Sequence, residues 1–141
     1  MSGIQHTMDT SVNLPALLVV EDDLDTQEMM QTILRNEYTV FVTGTGTEAL
    51  RMLESNPIDI VLMDVLLGKD ESGLDITRRI RLRWSSETLP VIALTARAFP
   101  AESYRCIQAG CNAHVAKPFR VNELRRTIRE VLASAVPGRD S

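Results

Sequence analysis

Apolar residues fall along this chain in two alternating rhythms. Short, nearly continuous apolar runs occur from Leu14 to Val20, Tyr38 to Val42, Ile58 to Met63, Leu89 to Leu94 and Ala113 to Ala116. Such runs predict strands buried on both faces of a parallel sheet rather than half-exposed antiparallel ones. Between them apolar positions recur at helical spacing: Met29, Met30, Ile33 and Leu34; Ala49, Leu50 and Leu53; Leu124, Ile128, Val131 and Leu132. A third helix is expected from about Gly73 to Arg83, with arginines on its exposed side. A fourth should run from Pro100, suited to a first helical turn, to Gly110 as its C-terminal cap. Thr45 and Glu48 form a capping box ahead of the second helix, and Asn56-Pro57 stops it, because the residue before a proline is pushed out of the α region. Five strand-helix alternations predict an α/β fold, a parallel sheet with right-handed crossovers and helices on both faces.

Composition narrows the picture without changing it. The chain has 141 residues, 44% hydrophobic and 24% charged, which suits one ordinary globular domain with its own core. Its net charge of −4 gives no footprint for direct nucleic-acid binding or an anionic membrane surface. No apolar run approaches the roughly 20 residues needed for membrane insertion as a helix. Residues 1–13 are polar, lack a signal-peptide core and are expected to be a disordered lead-in, with Met8 a possible natural start. The domain is expected over 14–135, with 136–141 as a C-terminal tail. Cys106 and Cys111 are not spaced as a metal or redox pair, and two reduced, buried thiols in a cytoplasmic protein are expected. Trp84 is read as a half-buried residue at the end of the third helix, with a partner contact as the other reading.

The chemistry gathers at strand ends. Ile58 to Met63 ends abruptly in Asp64; the first strand ends in Glu21-Asp22-Asp23, the fourth in Thr95, and the fifth in Lys117. In an open parallel α/β sheet the carboxyl ends of the strands share one edge, where ligands bind. Crowded carboxylates repel unless a cation neutralises them, and all-oxygen ligands select a hard cation such as Mg²⁺. A carboxylate beside a metal, a lysine and a hydroxyl is suited to accept a phosphoryl group, because the cations neutralise charge developing on the transferred oxygens.

Four stretches, LLVVEDD, IVLMDVLL, PVIALTA and AHVAKPF, taken together in this order and spacing, resemble the receiver domain of two-component response regulators over roughly Leu14 to Ala133. The resemblance implies a flavodoxin-like, doubly wound (βα)5 fold with a five-stranded parallel sheet in strand order 2-1-3-4-5. It implies that Asp64 is the phosphoacceptor, taking a phosphoryl group from a histidine kinase or histidine phosphotransfer protein. Glu21 and Asp22 match the acidic pair that binds Mg²⁺, with Asp64 and the Leu66 backbone carbonyl completing the metal site. Thr95 matches the switch hydroxyl, Ala96 its small neighbour and Lys117 the phosphoryl-pairing lysine, followed by Pro118 across a bond that is usually cis in the family. Such a domain modifies only itself and is not a conventional enzyme.

Three departures modify these expectations. The polar loop from Leu67 to Gly73 lacks the family's common proline and is about one residue longer. The aromatic switch position holds His114, which is either an inward-swinging switch with some pH sensitivity or a partly exposed strand-end histidine. The variable positions near the phosphate are Leu66 and Arg97; an apolar Leu66 should hinder the attacking water, and Arg97 should screen the phosphoryl group. Output is expected on the fourth helix, fifth strand and fifth helix, through Tyr104, Arg105, Gln108, His114 and the arginines of the last helix, toward a downstream protein or a fused output domain. A stand-alone regulator and a receiver belonging to a hybrid kinase or longer regulator both remain open. Against the phosphoacceptor stand two alternatives. One is a pseudo-receiver interaction module; the other is a small enzyme, an FMN carrier or an acid-nucleophile phosphatase. An FMN carrier needs a phosphate loop after the first strand, where three acids would repel the ligand, and such a phosphatase normally carries its nucleophile there. The Gly44-Thr45-Gly46 run lacks the third glycine of a dinucleotide fingerprint and follows the wrong strand.

Overall fold

The expected alternation is present throughout the computed structural model, which describes residues 14–68, 70–96 and 99–135. The expected lead-in, the C-terminal tail and Arg97 lie outside the described residues. Five strands form the main sheet: β1 (Ala16–Val20), β2 (Thr39–Thr43), β3 (Ile60–Asp64), β4 (Val91–Thr95) and β5 (Ala113–Ala116). They alternate with α1 (Leu24–Leu34), α2 (Gly46–Ser55), α3 (Gly73–Ile80), α4 (Pro100–Ala109) and α5 (Val121–Ala133). Every strand pair in this sheet is parallel, in the predicted order β2-β1-β3-β4-β5. Among the described residues no helix is long and apolar enough to cross a membrane.

Strand alternation sorts the core into two layers. Leu17 and Val19, Ile60 and Leu62, Ile92 and Leu94, and Val115 pack against Met30 and Leu34 of α1 and Leu124 and Ile128 of α5. The intervening residues, including Leu18, Val20, Val61, Met63, Val91 and Ala93, pack against α2, α3 and α4 through Ala49, Leu53, Leu74, Ile76, Ile80 and Cys106. Each fully buried large side chain contributes roughly 1.5–3 kcal/mol through surface removed from water.

Local chemistry sets the helix ends. Asp23, Thr45 and Ser72 are N-caps, accepting the backbone N–H of Thr26, Glu48 and Leu74. Thr45 thus supplies its half of the expected capping box, while the Glu48 carboxylate pairs with Arg51. Pro100 opens α4, and Gly110 closes it at φ 111°, a left-handed conformation that glycine adopts without Cβ strain.

Four expectations need correction. Met29 is exposed rather than on the buried face, because only Met30 and Leu34, one turn apart, point squarely at the sheet. The segment after Asp64 is not a simple polar loop, since Leu66–Leu67 pairs antiparallel with Glu71–Ser72 as a two-stranded ribbon. Helix α3 stops at Ile80, three residues before the expected end, with Arg81 as its C-cap; Trp84 lies in the following turn, half-buried, beneath the Arg83 guanidinium at 5.0 Å. Arg81, expected among the exposed arginines, is half-buried. Its Nε donates to the Gly110 carbonyl at 2.9 Å, Nη1 to the carbonyls of Leu89 at 2.8 Å and Trp84 at 3.3 Å, and Nη2 to Asn112 Oδ1 at 3.0 Å.

Arg81 therefore ties the end of α3 to the entrance of β4 and the end of α4. Arg81→Met should destabilise the fold by about 2–3 kcal/mol, because it leaves several carbonyls without their charged donor. Arg83→Met, which removes an exposed pair with Glu54, should cost less than about 1 kcal/mol. Urea denaturation of the two variants checks the contrast. Cys106 and Cys111 are free and buried, as expected. Burial, reinforced by Cys106, pushes the Cys111 thiol from 9.0 up to about 12 against the opposing Thr77 hydrogen bond and nearby arginines. Because the folded value lies above the unfolded one, this group's contribution is intact below pH 9 and lost as pH rises from 9 toward 12. Stability measured over that window should fall more steeply in the wild type than in Cys111→Ala.

Candidate functional site

Register brings the polar strand ends together. Val20 lies opposite Met63, so Glu21 and Asp64 emerge side by side; Asp64 lies opposite Leu94, and Thr95 opposite Ala116. Glu21, Asp64 and Lys117 continue the alternating rows that fill the α1/α5 layer, whereas Thr95 continues the row facing α2, α3 and α4. Three of the four strand-end groups thus leave the sheet on one side.

Lys117 bridges this row. Its Nζ lies 3.0 Å from Glu21 Oε1 and 3.2 Å from Asp64 Oδ2. Burial opposes its charge, but hydrogen bonds and attraction from Glu21 and Asp64 outweigh that and raise its pKa above the usual lysine range. Burial raises the Glu21 pKa, with the Asp64 charge adding to it, against relief from the Asp23 backbone N–H and from Lys117. The Asp23 N–H donates to Glu21 Oε2 at 3.1 Å. Asp23 itself is occupied as the cap of α1, where hydrogen bonds from the Thr26 hydroxyl and N–H hold its carboxyl below the usual range.

Asp22 is exposed, and its Oδ2 accepts the Gly68 N–H at 3.1 Å. Glu21, Asp22 and Asp64 each offer an oxygen, all within 4.8 Å of one another. Three carboxylates against one ammonium leave the cluster negative, and an all-oxygen donor set of this kind fits a hard divalent cation. The Leu66 N–H donates to Asp64 Oδ1 at 3.3 Å, while the Leu66 side chain is exposed on the rim.

The remaining expected residues lie at the ends of β4 and β5 and on α4. Thr95 is buried, and its carbonyl accepts the Lys117 N–H at 2.7 Å. Ala96 and Pro118 are exposed, and the Lys117–Pro118 peptide is cis. His114 stands off the acidic cluster, with its Nε2 2.9 Å from Ser103 Oγ on α4. Tyr104, Arg105 and Gln108 are exposed on α4, where Gln108 Nε2 donates to the Tyr104 hydroxyl.

Sequence reasoning missed several supporting residues. Gln27 of α1 donates to the Glu21 carbonyl at 2.6 Å and braces the acidic turn. Gly73 packs so tightly under Asp64 that a Cβ there would lie 2.0 Å from the Asp64 carbonyl oxygen. Gly68, Glu71 and Ser103 also went unremarked; each acts through a partner distant in sequence, which local patterns do not reveal.

Comparison with known proteins agrees with this fold. A family model described as the response regulator receiver domain matches residues 17–129. Response regulator MprA of Mycobacterium ulcerans is 35% identical over 82% of this chain and 49% of its own length. A probable transcriptional regulatory protein of Picosynechococcus sp. is 31% identical over 92% of this chain and 54% of its own length. The chain spans about half the length of these curated relatives. Among solved structures, a putative response regulator from Chloroflexus aurantiacus superposes with a TM-score of 0.79 at 34% identity, covering 86% of this chain and 99% of its own. The receiver domain of a sensor histidine kinase from Pseudomonas aeruginosa, which has a magnesium ion coordinated in its active-site cleft, gives 0.76 at 35% identity over 86% and 99%. By family match, relatives and fold together, the chain belongs to the response regulator receiver domains of two-component systems.

Proposed function

We propose that this receiver accepts a phosphoryl group on Asp64 from a histidine kinase or histidine phosphotransfer protein, in a Mg²⁺-dependent reaction. The receiver unit is taken as residues 14–135. The observation that carries the reading is the Glu21-Asp22-Asp64 cluster, whose oxygens lie within 4.8 Å, bridged by Lys117. An Asp64 carboxylate oxygen attacks phosphorus, the P–N bond of the donor phosphohistidine breaks, and the released imidazole takes its proton from solvent. Asp22, Asp64, Glu21 and the Leu66 carbonyl would hold the ion, which supplies charge neutralisation for the transferred oxygens. Lys117 keeps its charge beside Asp64 and pairs with an added oxygen. The Thr95 hydroxyl would engage the phosphoryl group in one conformational state only, and such a differential interaction is what shifts a population.

Converting the Asp64 carboxylate to an acyl phosphate replaces a charge of −1 by roughly −1.5 to −2, a net gain of about one negative charge at most, and moves it outward onto the phosphoryl oxygens. The proposed readout is the surface of α4, β5 and α5. Tyr104 and Ile107 stand exposed there on α4, and His114 contacts the same helix through Ser103. The partner is a downstream protein or an output domain in the same polypeptide.

Intact mass after incubation with acetyl phosphate or phosphoramidate should show one added phosphoryl group that requires Mg²⁺ and is lost in Asp64→Asn. No adduct from small donors or from a phosphorylated histidine donor would sink the reading in favour of an interaction module. The exposed apolar Leu66 side chain offers no hydrogen bond to an attacking water. In Leu66→Asn an added bond of about 1 kcal/mol to that water should speed loss of phosphate by about fivefold, followed as decay of the modified mass.

A further inference from the structure

Glu71 lies in the ribbon after Asp64, within the stretch that the sequence marks only as a polar loop. It is instead half-buried, and both its carboxylate oxygens lie within reach of the Gly46 N–H, at 3.1 and 3.2 Å. Gly46 is the first residue of α2, so the carboxylate meets unpaired amides and the positive end of the helix dipole. The approach is close: a Cβ at position 46 would lie 2.6 Å from Glu71 Oε2 and 2.6 Å from Ile76 Cγ1, so one of these side chains would have to shift.

The same turn end of the ribbon also touches the acidic cluster. Gly68, at φ 62°, donates its N–H to Asp22 Oδ2. Leu67, the neighbour of Gly68, pairs directly with Glu71, and Leu66 with Ser72. The ribbon carrying the Leu66 carbonyl and restraining Asp22 is thus tied to α2 through one carboxylate. We propose that Glu71 is a positioning residue that holds this ribbon in place and thereby sets the Mg²⁺ affinity of the site. It touches neither the ion nor the phosphoryl group and acts only through the ribbon. The inference rests on the Mg²⁺ reading above.

MgCl₂ titrations of the full chain, followed by the Gly68 amide resonance well below the melting temperature, test the proposal. Glu71→Met, which removes the acceptor at similar size, should weaken Mg²⁺ binding about tenfold, at the lower end of effects seen for outer-shell partners of metal ligands. Glu71→Gln should stay within about twofold of wild type, because its amide oxygen still accepts the Gly46 N–H while its charge is gone. Gly46→Ala should weaken binding in the same direction by displacing an intact Glu71. A merely structural role would lower the melting temperature of the variants and leave the affinity of the folded protein unchanged. Wild-type affinity in folded Glu71→Met would overturn the proposal, and so would a Glu71→Gln as weak as Glu71→Met, since charge rather than tethering would then be responsible. A wild type whose resonances ignore Mg²⁺ would overturn the metal reading itself and the positioning role with it.

Discussion

The ammonium of Lys117 between Glu21 and Asp64 is the interaction on which the site depends. Parallel register and strand alternation deliver both acids to one side of one edge, where burial raises the cost of their charge. The lysine relieves part of that cost at Glu21 and is itself held charged by the pair. Removing Lys117 would leave two buried carboxylates facing each other. The residual negative charge after this pairing is the physical basis for proposing a divalent cation at Asp22.

A second theme is that helix ends take their charge complements from neighbouring elements. Helix α1 has no basic residue in its last turn, and Arg125 of α5 donates to its Ile33 carbonyl at 2.7 Å. Helix α4 likewise lacks one, and Arg81 from the end of α3 reaches its Gly110 carbonyl. Helix α2 receives the Glu71 carboxylate at its first amide. Each contact serves the helix dipole and also fixes the spacing between two elements that border the sheet. The loops carrying the site residues are therefore framed by cross-links, and Gln27 beneath the Glu21 carbonyl extends the frame to α1.

How much of this was readable from sequence follows from the range of each interaction. The strand ends were readable because apolar runs stop where the core stops, and β5 coincides with its expected span. The starts of β1 and β4 fall two residues late, since Leu14-Pro15 and Leu89-Pro90 are apolar without lying in the ladder; Leu89 is core all the same. The Leu66–Leu67 ribbon escaped notice because two residues carry no period, and its partner strand is polar. Arg81 looked like its neighbours Arg78 and Arg79, and only the positions of the Gly110, Leu89 and Asn112 groups separate it from them. The sequence allows two readings of His114, and its bond to Ser103, eleven residues away on a different element, follows from tertiary packing alone.

The two-layer sorting of the core bears on how a signal could leave the site. Glu21, Asp64 and Lys117 belong to the rows facing α1 and α5, so the acceptor chemistry sits over that layer. Thr95 belongs to the opposite row, which packs against α2, α3 and α4. Under the proposed function a hydroxyl drawn toward an added phosphoryl group would have to move across the sheet edge, away from the layer that includes α4. The adjoining backbone would move with it, since Lys117 is hydrogen-bonded to the Thr95 carbonyl and β5 runs directly back from Lys117 to His114. His114 and Ser103 then form the contact at which such a displacement meets α4. The far end of α4 is held by Arg81 at Gly110. Helix α4 is thus held by Arg81 at its C-terminal end and linked to β5 through Ser103 near its first turn, so both of its ends are tied to elements that border the site.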